Sequence, residues 1–203
     1  MSIQFAVLGD SIAWGQGASG PADTIGARLT AALNAHGFST EYRVFAVPGA
    51  RSEGLAPQVR AALAWPPDLA LIIIGANDLT HLVAPAQAAA QLGAAVRSLR
   101  AAGTQVVVSP APDLSAAVWV PPAVRALVRA ASAAMRAAQT RAVLAADGRV
   151  AAIDGAMAAA FRTDRRLFAA DGFHPSSAGY EVITTALTPA VFAAVGAARA
   201  QAK

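Results

Sequence analysis

Asp171-Gly172-Phe173-His174-Pro175 places a carboxylate three residues before one of only three histidines in the chain. At that spacing the carboxylate can accept from the Nδ1–H of the imidazole. This fixes the tautomer and leaves Nε2 outward as a base. Pro175 stiffens the turn, and Ser176-Ser177 can start a helix behind it. A lone histidine is also a common surface or core filler, so the pair gains meaning only beside a nucleophile and an oxyanion hole.

The candidate nucleophile is Ser11 in Gly9-Asp10-Ser11. A serine hydroxyl attacks poorly unless a base lies within hydrogen-bond reach. The Ser11 N–H, at the start of a turn, can also point at a developing oxyanion. Gly49 can offer a second backbone N–H, because no side chain blocks the approach of substrate. Asn77, in Gly75-Ala76-Asn77-Asp78, can add its Nδ2–H. Each residue has an ordinary alternative. Gly-Asp-Ser is common turn chemistry, Pro48-Gly49 fits a simple turn, and Asn77 fits a cap or an Asx-turn. His36, in a last helical turn before Gly37, and His81, just after Asp78, read as helix-end or loop residues.

These residues need a scaffold that gathers them, and the hydrophobic pattern provides one. Apolar strand-like runs at Ile3–Leu8, Glu41–Val47, Leu69–Ile74, Thr104–Ser109 and Arg149–Ile153 alternate with helix-like segments. The helices are expected near Asp23–His36, with Asp23 as N-cap, and at Glu53–Ala64, Pro85–Ala102, Ala123–Ala146 and Ser177–Val195. Gly103 fits a helix C′ position. A loop spans Ala111–Pro122, and a variable region precedes Asp171. Strand–helix alternation predicts one α/β domain over residues 1–203. It would be a three-layer α/β/α sandwich on a five-stranded parallel sheet of flavodoxin-like order 2-1-3-4-5. In such a sheet the segments after each strand meet at the carboxyl edge. That edge would bring Ser11, Gly49, Asn77, Asp171 and His174 together.

Gly9-Asp10-Ser11, Gly49, Gly75-Ala76-Asn77-Asp78 and Asp171-Gly172-Phe173-His174-Pro175 resemble, in order, the four blocks of the SGNH hydrolase (GDSL esterase/lipase) superfamily. The resemblance runs from Ser11 to the last helix. Block one reads Gly-Asp-Ser-Ile rather than Gly-Asp-Ser-Leu, a mild apolar change, and the second block is short and degenerate. The resemblance implies Ser11 as nucleophile, His174 as base and Asp171 as third triad member. Gly49 and Asn77 would serve with the Ser11 N–H as oxyanion donors. The implied reaction is acyl transfer from small or medium carboxylic esters, with no metal or organic cofactor. Carbohydrate O-acetyl esters and thioesters fit the same site. Two readings from other classes stay open: a metal-dependent phosphatase on Asp10, Asp78 and Asp171, and a binding module that keeps the fold without catalysis.

Composition narrows the partners. Hydrophobic residues form 56% and charged residues 14% of the chain, a globular balance. No cysteine is present, which removes disulfides, thiol nucleophiles and thiolate metal sites. The formal charge of +4 is scattered, and no basic run with interleaved aromatics argues for nucleic acid. Arg125, Arg129 and Arg136 can share one helical face, either a solvated stripe or an anion- or nucleic-acid-binding surface. No basic segment or cleavage site precedes Ile3, and Ala186–Ala198 is short for a bilayer span and carries Pro189 and Gly196. A cytoplasmic protein acting on a small-molecule ester is the expectation. The loops Trp14–Asp23, Arg51–Gly54, Leu79–Ala84 and Asp113–Pro122 would set specificity around an open groove. Trp14 and Trp119 are candidates for its acyl wall or for core packing, and Arg51 for an anion contact or an exposed ion pair.

Overall fold

The structure is a computed structural model that describes residues 2–117, 119–151 and 155–201. Strand β1 (Ser2–Gly9) leads into a single-turn helix α1 (Ser11–Trp14), then α2 (Ile25–Ala35) and β2 (Ser39–Val44). Helix α3 (Leu55–Leu63), β3 (Leu69–Ile73), α4 (Ala76–Thr80), α5 (Pro85–Ala101) and β4 (Gln105–Ser109) follow. The chain continues through α6 (Arg125–Ala145), β5 (Arg149–Val150), α7 (Gly155–Thr163) and α8 (Ser177–Gln201). The strands pair in parallel in the order β2-β1-β3-β4-β5, the order read from the sequence.

The central strands carry apolar side chains on both faces, which is why β3 reads as an unbroken aliphatic run. Phe5, Val7, Leu69 and Leu71 face one layer with Leu29 of α2 and Leu187 of α8. Ala6, Leu8, Ala70 and Ile72 face the other with Leu55 of α3 and Leu92 of α5. Alternate residues thus feed two cores, as the two-residue period of a strand requires. Helix α2 buries Ile25, Leu29 and Leu33, one residue per turn, on its sheet-facing stripe.

Several boundaries differ from the sequence reading. Strand β2 starts two residues earlier and ends at Val44. Beyond it, Phe45 N–H and Val47 N–H still donate to the Val7 and Gly9 carbonyls, at 2.8 and 3.0 Å, so the extended path persists to Val47. Strand β5 spans Arg149–Val150; the remainder of its expected range, to Ile153, lies outside the described residues apart from Ala151, whose N–H donates to Val108 O at 2.9 Å. Asp23 is not the N-cap of α2. Pro21 starts a 3-10 turn through Asp23, which passes the cap position to Thr24. Asp23 instead pairs with Arg28 at 2.7 Å and accepts from Ser177 Oγ at 2.8 Å, joining the starts of α2 and α8. The region before Asp171 contains a helix, α7, that its alanine-rich sequence left unassigned.

Helix α8 runs past Val195 to Gln201. Its Ser177–Ala198 stretch is long and apolar enough to cross a membrane by length and composition, with mean hydropathy 1.5. Here Tyr180, Leu187, Val191 and Ala194 form its inner stripe and are fully buried in the first core.

Candidate active site

Ser11 owes its place to the residues on either side. Gly9 takes φ +131°, and a Cβ there would lie 1.8 Å from the Ile73 carbonyl oxygen, so only glycine lets β1 pass this close to β3. Asp10 then caps α1, its Oδ1 accepting from Ile12 N–H at 3.0 Å. Ser11 is the first residue of the helix and is buried. Sequence reasoning missed Gln58. This buried side chain accepts from Gly9 N–H at 2.7 Å and donates to Gly9 O at 2.9 Å, clamping the peptide groups that aim Ser11. Its one signal was a glutamine on the apolar stripe of α3, between Leu55 and Val59.

The His174 turn is built to present one ring nitrogen. A bridge between Phe168 and Pro175 closes its base, and Ala169 N–H donates to His174 O at 2.8 Å. Inside the turn, Asp171 Oδ1 accepts from the N–H groups of Phe173 and His174, both at 2.9 Å. Asp171 Oδ2 lies 2.6 Å from His174 Nδ1, and His174 Nε2 lies 3.0 Å from Ser11 Oγ. Partial burial pushes the Asp171 carboxyl up, but the His174 ring and the two N–H groups outweigh it, and its pKa lies below the ordinary value. Asp171 therefore stays ionised across the neutral range.

The two other segments follow the strands that flank β1, where Val47 N–H donates to Gly9 O at 3.0 Å and Asp10 N–H to Ile73 O at 3.1 Å. Val47-Pro48-Gly49-Ala50 forms a turn in which Ala50 N–H donates to Val47 O at 3.0 Å, with Gly49 at φ +79°. Proline second and a left-handed glycine third match a type II turn. Asn77 Nδ2 donates to Ala50 O at 3.0 Å, which orients the amide and leaves its second N–H to donate elsewhere. Asp78 is fully buried and takes Ser52 N–H at 3.1 Å and Ser52 Oγ at 2.9 Å, tying the two loops together. Among the described residues, no hydrogen bond engages the N–H of Ser11 or of Gly49. His81 caps α4, with Nδ1 2.9 Å from Asn77 O, and His36 packs edge-on against Phe192 at the end of α2.

Asp10, Asp78 and Asp171 are thus spent on a helix cap, a loop tie and the histidine. Among the described residues no three His, Asp or Glu side chains gather to hold a metal ion. Asp10 has a distinct chemistry. Burial first of all, with the nearby Asp78 charge adding to it against the Ile12 N–H, raises its pKa to about 7. Its Oδ2 is buried without a hydrogen-bond partner. The unfolded chain releases this proton near pH 3.8, whereas the folded chain holds it to about 7. Stability must therefore fall as pH rises through that window, by at most about 4 kcal/mol. Asp10→Asn keeps a capping oxygen and removes the titration. Thermal melts from pH 4 to 8 are expected to show the variant gaining on the native protein as pH rises. A gap that does not change with pH would contradict this.

Comparison with known proteins decides the family. The sequence model of the GDSL-like Lipase/Acylhydrolase family matches residues 7–182. The chain belongs to this family. The GDSL-like esterase Rv1075c of Mycobacterium tuberculosis is 36% identical over 182 residues, which cover 88% of this chain. They cover only 58% of that relative, so the chain spans little more than half its length. The crystal structure of TesA has a TM-score of 0.75 at 23% identity, covering 92% of this chain and 96% of that one. A catalytic mutant of Axe2, an acetylxylan esterase from Geobacillus stearothermophilus, has a TM-score of 0.73 at 16% identity, covering 91% of both chains. At these identities the two structures speak for the fold.

This GDSL-like acylhydrolase family member also has a partly open, mostly apolar pocket lined by Ile12, the neighbour of Ser11. Ile12, Ala76, Leu114, Phe161, Phe168 and Phe173 line it. Two features absent from the sequence reading build it: a 3-10 turn at Leu114–Ala116 in the expected loop, and α7. Trp119 lies 6.1 Å from the Phe173 ring, which stacks edge-on against His174 at 4.9 Å. Trp14 is half exposed and outside both cores. Arg51 pairs with Glu53 at the surface.

Proposed function

We propose that the protein hydrolyses carboxylic esters through an acyl-serine intermediate, with Ser11 as nucleophile, His174 as general base and Asp171 as the residue that orients the imidazole. The observation that carries this reading is the continuous chain Asp171–His174–Ser11, with links of 2.6 and 3.0 Å. Ser11 Oγ attacks the ester carbonyl carbon as His174 Nε2 takes its proton. The carbonyl oxygen gains the charge and accepts from the N–H groups of Ser11 and Gly49 and from the remaining Asn77 Nδ2–H. When the C–O bond to the alcohol breaks, His174 returns the proton to the leaving oxygen. Water then adds by the same route and frees the acid. Burial of Ser11 and His174 strengthens each of these polar contacts.

The apolar lining of the pocket favours an apolar acyl chain over a sugar acetate. Nitrophenyl esters of increasing chain length, run beside an acetylated sugar, test this. The kcat/KM value is expected to rise over the first few carbons and to exceed that for the sugar. A preference for the acetylated sugar would reverse the substrate assignment. Asn77→Ala is expected to lower kcat by about 100-fold or more with a smaller effect on KM, because the lost donor acts on charge that exists only in the transition state. An equal loss in a Gly49→Ala variant is not required, since that change also strains a left-handed residue.

A further inference from the structure

The helical stripe of arginines has a partner that the sequence hid. Next to the apolar pocket lies a second recess, and Ala116, Phe161 and Phe168 line both, so the two spaces adjoin. Arg125 and Arg129 of α6, Arg162 of α7 and Arg165 just beyond it line this recess. Four arginines from two separate segments thus line one space. Asp113 is the carboxylate beside them, and it forms loose ion pairs with Arg129 and Arg162 at 3.9 and 3.8 Å, beyond hydrogen-bond distance, one negative charge against four positive ones. The nearest acidic neighbour in sequence, Asp164, is engaged by Arg166 at 2.8 Å. Among the described residues no carboxylate pairs with Arg125 or Arg165, so the recess carries a net positive charge.

Like charges held together in one concavity repel unless an anion joins them. We propose that this recess is a subsite for a carboxylate at the far end of the acyl chain, so that the preferred substrate is a monoester of a dicarboxylic acid. The proposal rests on Ser11 acting as the nucleophile. Ile12 and Ala76, neighbours of Ser11 and Asn77, line the apolar pocket. A carbonyl held between Ser11 and Asn77 sends its own carbon chain past those two residues. The chain crosses the apolar pocket and ends among the arginines, where planar guanidinium groups match a carboxylate.

The test compares mono-4-nitrophenyl pimelate with its neutral methyl diester on the purified native protein, beside Ser11→Ala. The charged ester is expected to give the higher kcat/KM at low salt, and the advantage should shrink as ionic strength rises. In Arg129→Gln/Arg165→Gln the charged-to-neutral ratio is expected to fall by about tenfold or more. Reading the ratio within each variant cancels any loss of folded enzyme. Ser11-dependent turnover of the neutral ester with the charged one disfavoured, or a ratio that the arginine substitutions leave unmoved, would overturn the subsite alone. An equal preference for an ester carrying its carboxylate on the nitrophenol would overturn the acyl-side placement. Turnover of neither ester, or turnover that survives Ser11→Ala, would instead overturn the hydrolase reading on which the subsite rests.

Discussion

Ser11→Ala is expected to lower kcat for a nitrophenyl ester by about 10⁵- to 10⁶-fold, leaving only what the oxyanion donors and binding supply. The magnitude follows from the geometry. Among the described residues, Ser11 Oγ is the hydroxyl that touches His174 Nε2, and no cysteine exists to replace it. Because the serine and histidine act as a unit, His174→Ala should cost about as much, and the double variant little more. The fold should survive. The hydroxyl is replaced by a smaller group at the start of a one-turn helix whose cap, Asp10, and whose anchor, Gln58, both remain. Steady-state rates, with melts as a control on folding, check the prediction. Independent losses that multiply in the double variant would contradict a shared catalytic unit.

Asp171→Asn is expected to lower kcat by about 10⁴-fold with little change in KM. An asparagine oxygen can still accept from the Phe173 and His174 N–H groups, so the turn keeps its shape. The loss is in the proton inventory. Facing Nδ1, an amide NH2 donates where the carboxylate accepted. The imidazole then carries its proton on Nε2, pointed at Ser11 Oγ, and cannot act as a base. The charge that stabilises the imidazolium disappears as well. Rates measured against pH, with KM followed separately, check this. A variant within tenfold of the native rate would mean that the carboxylate serves the turn and not the histidine.

How much of this was legible in the sequence depends on the kind of residue. The parallel sheet was legible because strand-like and helix-like segments alternate along the chain and Leu69–Ile74 is an unbroken apolar run, as a buried central strand requires. The convergence of Ser11, Asn77 and His174 followed, since segments after parallel strands share one edge. Side chains that act through hydrogen bonds to distant backbone left weaker traces. Gln58 and Gln139 are both buried polar residues on the inward stripes of α3 and α6. Gln139 accepts from Ala111 N–H at 2.8 Å and does for the β3–β4 edge what Gln58 does for β1. A sequence shows that such a residue breaks the stripe, but not which peptide group it reaches. Asp78 was a candidate ligand on paper and became a structural tie because Ser52, twenty-six residues earlier, folds back onto it. Helix α7 was hidden because it is only nine residues long and its alanine-rich run offers few large apolar side chains to mark a face. The pocket wall and the arginine recess it supports went unseen with it.

The central claim is that Ser11 is the nucleophile and that His174 activates it. Incubating the folded protein with a fluorophosphonate probe and locating the adduct by peptide mass spectrometry tests it most directly. Under this account the native protein carries one phosphonyl group, on Ser11, and His174→Ala carries none. No adduct on the native protein, an adduct elsewhere, or undiminished labelling of His174→Ala would contradict it.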